Sequence, residues 1–138
     1  MPGSPRDLDA ILAPIDGSDC SFRALEFATG MAAQYDATLD VVHVTDEESA
    51  ATDDLRTRAR TLLDAAAIPT DLEVVEELDL EFRPAEQVGK TVLHLVTDRG
   101  YDHVVMGHHG SGTFERALIG SAAETVVEAD RVPVTIVP

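Results

Sequence analysis

Short apolar runs alternate with longer amphipathic stretches along the whole chain. The apolar runs, rich in β-branched residues, predict strands at Ala10–Ile15, Thr38–Val44, Leu72–Leu78, Asp102–Met106 and Val132–Val137. The stretches between them repeat apolar residues at helical spacing, which predicts helices at about 19–35, 53–67, 84–99 and 120–130. Because strands that alternate with helices form βαβ crossovers, we expect an α/β fold with a single open five-stranded parallel sheet and helices on both faces.

The domain organisation follows from length and composition. A chain of 138 residues with 44% apolar content can build one core, and no linker or internal repeat interrupts it. Residues 1–8, rich in Pro, Gly and Ser, are expected to form a flexible N-terminus. Residues 9–138 are expected to form a single domain. Ser18 is a good N-cap residue and predicts the start of the first helix.

Acidic residues far outnumber basic ones. There are 26 Asp and Glu against 10 Lys and Arg, a net charge of −16, and Lys90 is the only lysine. Such a charge repels nucleic acid and anionic membranes, so neither is an expected partner. The acidic surface would repel other polyanions as well. At about 1 M salt the Debye length is roughly 3 Å, so this long-range repulsion nearly vanishes. We therefore interpret the acidic surface as an adaptation to a salt-rich, halophilic cytosol; the alternative is an ordinary acidic protein.

Other compositional features indicate a cytoplasmic protein. The lone Cys20 cannot form an internal disulfide and suits a reducing compartment. No apolar run approaches the roughly 20 residues of a membrane span, and the first residues lack a signal-peptide core.

The stretch from His103 to Val127 carries the clearest candidate chemistry. It reads as a buried strand, a glycine-rich loop and a helix, with the spacing Gly107-x2-Gly110-x9-Gly120-Ser121. The amides of a helix N-terminus attract anions, and glycines before it let an anion approach the backbone. The pattern therefore predicts a site for the phosphates of a nucleotide. The alternative is a surface loop followed by a helix that Ser121 and Glu124 merely cap.

Three predicted strands end in residues that topology brings together. Asp16, Val44 and Gly107 follow or end strands, and ligands of doubly wound sheets lie beyond the carboxyl ends of strands at the switch point. Asp16 is the least specific of the three, since it could act only as a turn or cap residue.

Missing motifs argue against several enzyme classes. The chain has no G-x4-G-K-[ST] loop, so it is not a P-loop NTPase, and no G-x-G-x-x-G follows its first strand, which argues against a dinucleotide site. It also lacks the G-x-S-x-G nucleophile elbow. Nothing in it resembles a positioned general base for phosphoryl transfer, so we expect binding without fast turnover. His103, His108 and His109 are close in sequence, but neighbours in extended chain point opposite ways, so no metal site is predicted from them.

Three segments resemble universal stress protein domains: ILAPIDGSDCSFRALEFATGMA, VVHVTDE and VVMGHHGSGTFERALIGSAAETVVEADRVPVTIVP. The resemblance covers nearly the whole chain, which implies that residues 9–138 are a single nucleotide-binding domain of the universal stress protein type. The glycine spacing is that of the ATP-binding branch. It implies a Rossmann-like sheet of the adenine nucleotide alpha hydrolase-like type, and a homodimer paired through the last strand, Val132–Val137. The chain departs from the family pattern at Glu81-Phe82-Arg83, where many relatives carry glycine and small residues.

The resemblance also implies which residues hold the ligand. Asp16 would lie near the nucleoside, and Val44 would offer backbone groups to adenine. The full set of expected nucleotide-binding residues is Pro14, Ile15, Asp16, Val44, Met106, Gly107, His109, Gly110, Gly120, Ser121 and Ala122. The implied cofactor is ATP, or AMP or ADP, with Mg or Mn carried by the nucleotide. We expect a nucleotide-dependent stress-response or signalling protein; the alternatives are a dimeric interaction module without nucleotide and a slow ATPase.

Overall fold

The computed structural model describes residues 8–45, 49–66, 68, 70–76, 84–108 and 121–138. Strands and helices alternate along these ranges as β1 (Ala10–Pro14), α1 (Asp19–Tyr35), β2 (Thr38–Thr45), α2 (Ala50–Ala66), β3 (Thr70–Glu76), α3 (Pro84–Arg99), β4 (His103–Gly107), α4 (Ser121–Glu128) and β5 (Val134–Val137). None of the helices in the described ranges combines the length and hydrophobicity that a bilayer crossing requires.

The strands form one sheet in the order β3-β2-β1-β4-β5, and every neighbouring pair is parallel. The chain winds from β1 through β2 to β3 on one side, then crosses to β4 and β5 on the other. This order places β1 at the centre and leaves β3 and β5 at the two edges. The predicted α/β fold, a parallel sheet flanked by helices, is confirmed.

The ends of some elements differ from the prediction by two or three residues. α2 begins at Ala50, three residues before the predicted start, and β3 begins at Thr70 rather than Leu72. The early start of β3 follows from its pairing with β2, which begins at Leu39↔Thr70. β5 begins at Val134 instead of Val132. The predicted end of β3, at Leu78, lies outside the described residues.

Alternate residues of the strands pack against different helices. One buried cluster joins the sheet to α1 and α2, and its strand members include Ile11, Ala13, Leu39, Val41 and Val105. The other joins the opposite face to α3 and α4, and its strand members include Leu12, Val42, Val44, Val104 and Met106. Strands buried on both faces read as continuous apolar runs, which is why the sequence displayed them so clearly.

Side chains and backbone close both ends of α1. Ser18 is the N-cap, and its hydroxyl accepts a hydrogen bond from the amide of Ser21 at 3.2 Å. The predicted cap is confirmed. At the other end Asp36 adopts a left-handed conformation with φ 55°, and the amide of Ala37 donates to Ala32 O at 2.9 Å. The chain then turns directly into β2.

A glycine sets the distance between α3 and α4. Gly89 is buried, and a Cβ built there would lie 2.6 Å from Thr125 Cβ and 3.0 Å from Ala122 O. Real Cβ atoms do not approach so closely, so only glycine permits this helix contact. Because Ala122 is in the first turn of α4, Gly89 lets α3 lie directly against the start of that helix.

Polar contacts hold the opposite edge of the sheet, where the strands start. Asp102 Oδ2 accepts hydrogen bonds from the amides of Asp9 and Ala10, both at 2.9 Å. The hydroxyl of Tyr101 donates to Asp40 Oδ2 at 2.5 Å. Burial, together with the Asp40 carboxylate, raises the pKa of Tyr101 to about 12, so this donor stays protonated near neutral pH.

Candidate functional site

The central strands separate at the edge where a ligand is expected. The ladder between β1 and β4 consists of Ile11↔His103 and Leu12↔Val104, whereas β4 stays paired with β5 as far as Gly107↔Val137. The chain leaves β1 toward β2 and leaves β4 toward β5, so this is the switch point of the sheet. A crevice outside the carboxyl ends of β1 and β4 is the expected consequence.

Asp16 shapes the loop between β1 and α1. Its Oδ1 accepts hydrogen bonds from the amide of Ser18 at 2.9 Å and from the Ser18 hydroxyl at 2.6 Å. Gly17 between them has φ +91°, which side-chain-bearing residues rarely adopt. The turn role of Asp16 is confirmed. Its carboxylate is exposed at the crevice and is therefore accessible to a ligand. The predicted contact with a nucleoside stays a prediction.

Pro14 and Ile15, in the same segment, are buried in the protein. The amide of Ile15 donates to Val42 O at 2.8 Å, and its carbonyl oxygen lies 2.8 Å from His43 Nδ1. Its side chain belongs to the cluster beneath α1 and α2. Both backbone groups of Ile15 therefore serve to fasten the loop to β2.

Val44 and Met106 lie under the crevice on the other face of the sheet. They are 7% and 5% exposed and belong to the same buried cluster, against α3 and α4. β1 pairs with β2 only up to Pro14↔Val42, and β2 continues to Thr45. Val44 therefore lies beyond the end of β1, where the backbone of β2 borders the crevice.

Gly107 is packed against α1. A Cβ there would lie 2.7 Å from Cys20 Sγ and 3.0 Å from the amide nitrogen of Ser21. Sequence reasoning gave Gly107 a ligand role alone, and the structure adds a packing role. No local signal could have revealed it, because the contact joins segments far apart in the sequence.

The predicted phosphate site is described only at its two ends. β4 ends at Gly107, and the amide of His108 donates to Val137 O at 2.7 Å. α4 begins at Ser121. His109, Gly110 and Gly120 lie outside the described residues.

The start of α4 is anchored within the sheet-facing core. Ala123 is 2% exposed, and Ala122 packs against the same cluster as Met106. Glu124 in the first turn is exposed. As the helix that follows β4, α4 has its N-terminus at the carboxyl edge of the sheet, where its free amides can meet an anion.

A cavity of about 380 Å³ lies beside the β1–α1 loop, between the end of β2 and the start of α2. Sequence reasoning missed most of its lining, which includes Asp16, His43, Thr45, Thr52, Leu55 and Arg58. The guanidinium of Arg58 lies 4.1 Å from the centre of the Phe22 ring and 3.3 Å from Asp19 Oδ1. The single available signal for His43 was its place directly before Val44.

No metal-binding cluster occurs in the described ranges. No group of three His, Cys, Asp or Glu side chains is arranged there to hold an ion. His103 instead pairs its Nε2 with Thr135 Oγ1 at 2.7 Å, and burial lowers its pKa.

One protein-family model matches nearly the whole chain. The family model described as the universal stress protein family matches residues 8–138. No curated protein matches the chain.

Solved structures share the fold. A universal stress protein from Lactobacillus plantarum is 19% identical, with 97% of this chain and 100% of that chain covered and a TM-score of 0.69. A universal stress protein in complex with cAMP is 23% identical, with 96% and 98% covered and a TM-score of 0.69. The universal stress protein from Archaeoglobus fulgidus in complex with dAMP is 15% identical, with 95% and 98% covered and a TM-score of 0.70.

Proposed function

Because the chain belongs to the universal stress protein family, we propose that it is an ATP-binding member that acts as a nucleotide-dependent stress-response protein. The observation that carries the proposal is the switch point. There β1 and β4 separate after Leu12↔Val104, and the loop of Asp16 and the start of α4 lie at the same edge of the sheet. That arrangement can hold a nucleoside at one end and phosphates at the other.

Each part of the nucleotide would meet a different element. Asp16, above Pro14 and Ile15, would contact the nucleoside, and the backbone of Val44 beyond the end of β1 would meet adenine. The amides at the start of α4, from Ser121 and Ala122, would bind phosphate with Gly110, Gly120 and His109 of the preceding segment. Met106 and Gly107 would form the floor.

Two structural relatives support an adenine nucleotide as the ligand. They are complexes with cAMP and with dAMP, and both ligands pair adenine with a phosphate. ATP, ADP and AMP all present these groups. We propose that Mg or Mn arrives with the nucleotide, because phosphate oxygens are good ligands for hard cations.

The assembly and environment complete the proposal. β5 is an edge strand whose four residues are all half-buried, and an apolar edge of this kind suits pairing with a second copy. We propose a cytoplasmic homodimer through Val132–Val137. A net charge of −16 supports operation at high salt, where the surface would repel ATP least.

Titration calorimetry with ATP and Mg in concentrated KCl tests the proposal. Gly120→Val adds a branched side chain where the backbone would meet phosphate, so it should weaken binding strongly. Gly30→Ala, on the exposed side of α1 with nothing within 4 Å of the new Cβ, is the matched control and should bind like wild type. Equal heats from all three proteins would contradict a phosphate site at Gly120.

A further inference from the structure

His43 is held by a hydrogen bond that fixes which ring nitrogen carries a proton. Its Nδ1 lies 2.8 Å from the carbonyl oxygen of Ile15. A carbonyl oxygen can only accept, so Nδ1 must be the donor. In the neutral ring Nε2 is then a hydrogen-bond acceptor.

The same bond places the ring at the edge of the crevice. His43 follows Val42, the last β2 residue paired with β1, and it binds the carbonyl group that directly precedes Asp16. The ring is half-buried and lines the cavity of about 380 Å³ beside the loop. Within the described part of the chain, the hydrogen bond assigned to the ring is the one through Nδ1. Nε2 is therefore placed to serve a ligand in the cavity.

The lining of the cavity indicates which chemistry would bind. Its volume falls in the range typical of small-molecule sites, roughly 300–1,000 Å³. The Asp16 carboxylate and His43 Nε2 both accept hydrogen bonds, while Phe22 and Leu55 add apolar surface. Arg58, the cation among the described lining residues, forms an ion pair with Asp19. The complementary ligand has a flat apolar part and carries donor groups, as a nucleoside does in its hydroxyls and exocyclic amine.

We infer that His43 is a specificity-determining residue of the site, whose Nε2 accepts a hydrogen bond from a hydroxyl or amino group of the nucleoside. The inference rests on the proposed nucleotide binding and adds a contact on the face of the sheet opposite Val44 and Met106.

The variant His43→Asn distinguishes the roles of the two ring nitrogens. Asparagine can place an amide N–H near the position of Nδ1, which keeps a donor for the Ile15 carbonyl, but it has no atom at the position of Nε2. His94→Asn is the matched control, because His94 is an exposed histidine on α3. Calorimetry at pH 8 and constant KCl would compare ATP, 2′-deoxy-ATP, 3′-deoxy-ATP and purine riboside triphosphate, which lacks the amino group.

The inference predicts a loss that depends on one group of the ligand. His43→Asn should bind ATP about tenfold more weakly than wild type, as expected for one lost hydrogen bond. One of the three analogues should bind equally to wild type and to His43→Asn, because it lacks the group that Nε2 contacts. Unchanged ATP affinity, or the same loss for ATP and all three analogues, would overturn the inference.

A second variant covers the case in which His43→Asn does not fold. His43→Gln carries an oxygen that reaches the position of Nε2, so it should still discriminate against the same analogue as wild type. If His43→Gln folds but binds ATP and all three analogues equally, the inference is wrong. If wild type binds none of the four nucleotides, the proposed function itself fails and the inference falls with it.

Discussion

Gly107 at the end of β4 lies against Cys20 in the first turn of α1, and a Cβ on the glycine would come within 2.7 Å of Cys20 Sγ. The amide nitrogen of Ser21 would be only 3.0 Å away. This contact joins the two sides of the switch point, since α1 follows β1 and β4 leads toward α4. Glycine at this position is therefore required by packing, whatever ligand binds above it.

Gly107→Ala should destabilise the protein by about 1–3 kcal/mol, the usual cost of overpacking. The new methyl group would meet backbone atoms of Cys20 and Ser21 as well as the sulfur, so side-chain rotation cannot relieve the clash. Urea denaturation of wild type, Gly107→Ala, Cys20→Ala and the double variant would measure this effect. The double variant should recover part of the loss, because the sulfur is gone. A Gly107→Ala protein as stable as wild type would contradict the packing role.

Two helical glycines should respond to alanine in opposite directions. Gly89→Ala should cost about 1–3 kcal/mol, because the new Cβ would lie 2.6 Å from Thr125 Cβ and force α3 and α4 apart. Gly30→Ala should stabilise by up to about 1 kcal/mol, because it improves helix propensity at an exposed position with open space. Chemical denaturation of both variants checks the pair. Stabilisation of both variants would show that helix propensity, rather than the contact between α3 and α4, decides the effect at Gly89.

The stability of the protein should depend on the protonation of His103. Burial lowers its pKa below the ordinary 6.5, so near that pH the unfolded chain binds protons more readily than the folded one. Stability should therefore fall as the pH drops through 6.5 toward the folded pKa. Below the folded pKa both states are protonated and this contribution stays constant.

His103→Gln keeps a polar partner for Thr135 but cannot ionise, so its unfolding midpoint should fall less between pH 7.5 and pH 5. His94→Gln, which removes an exposed histidine on α3, is the control for the general effect of replacing a histidine with glutamine. Thermal unfolding at several pH values provides the comparison. A His103→Gln profile parallel to that of wild type would remove His103 as the cause.

Concentrated KCl should raise the thermal unfolding midpoint. With 26 acidic and 10 basic residues, self-repulsion weakens the folded state at low salt, and screening relieves it. Replacing the exposed Asp54 and Asp64 of α2 with Asn should reduce the salt dependence. A midpoint that falls as KCl rises would contradict the interpretation of a halophilic surface.

The sequence predicted the architecture well because its signals are local. Apolar runs identified the strands, and Ser18 next to Asp16 and Gly17 identified the start of α1 from turn and cap chemistry alone. The convergence of Asp16, Val44 and Gly107 needed only the rule that parallel strands end at a common edge. Element ends were less predictable, since the pairing of Thr70 with Leu39 decides where β3 begins.

The reasons behind individual residues could not be predicted in the same way. The tight packing at Gly89 and Gly107 depends on which residues of another element oppose them, and no spacing along the chain encodes that. The hydrogen bond between His43 and Ile15 likewise joins β2 to the loop that follows β1. For such residues the sequence shows which amino acid is present, but only the folded structure shows which residue it contacts.

A crystal structure of the protein grown with ATP and Mg in high KCl would show whether the switch point of the sheet holds a nucleotide. We expect the phosphates at the amides that begin α4, at Ser121 and Ala122. We expect the nucleoside beside Asp16, over the carboxyl ends of β1 and β2. A crevice filled by the protein's own side chains, or a nucleotide bound away from the ends of β1 and β4, would contradict it.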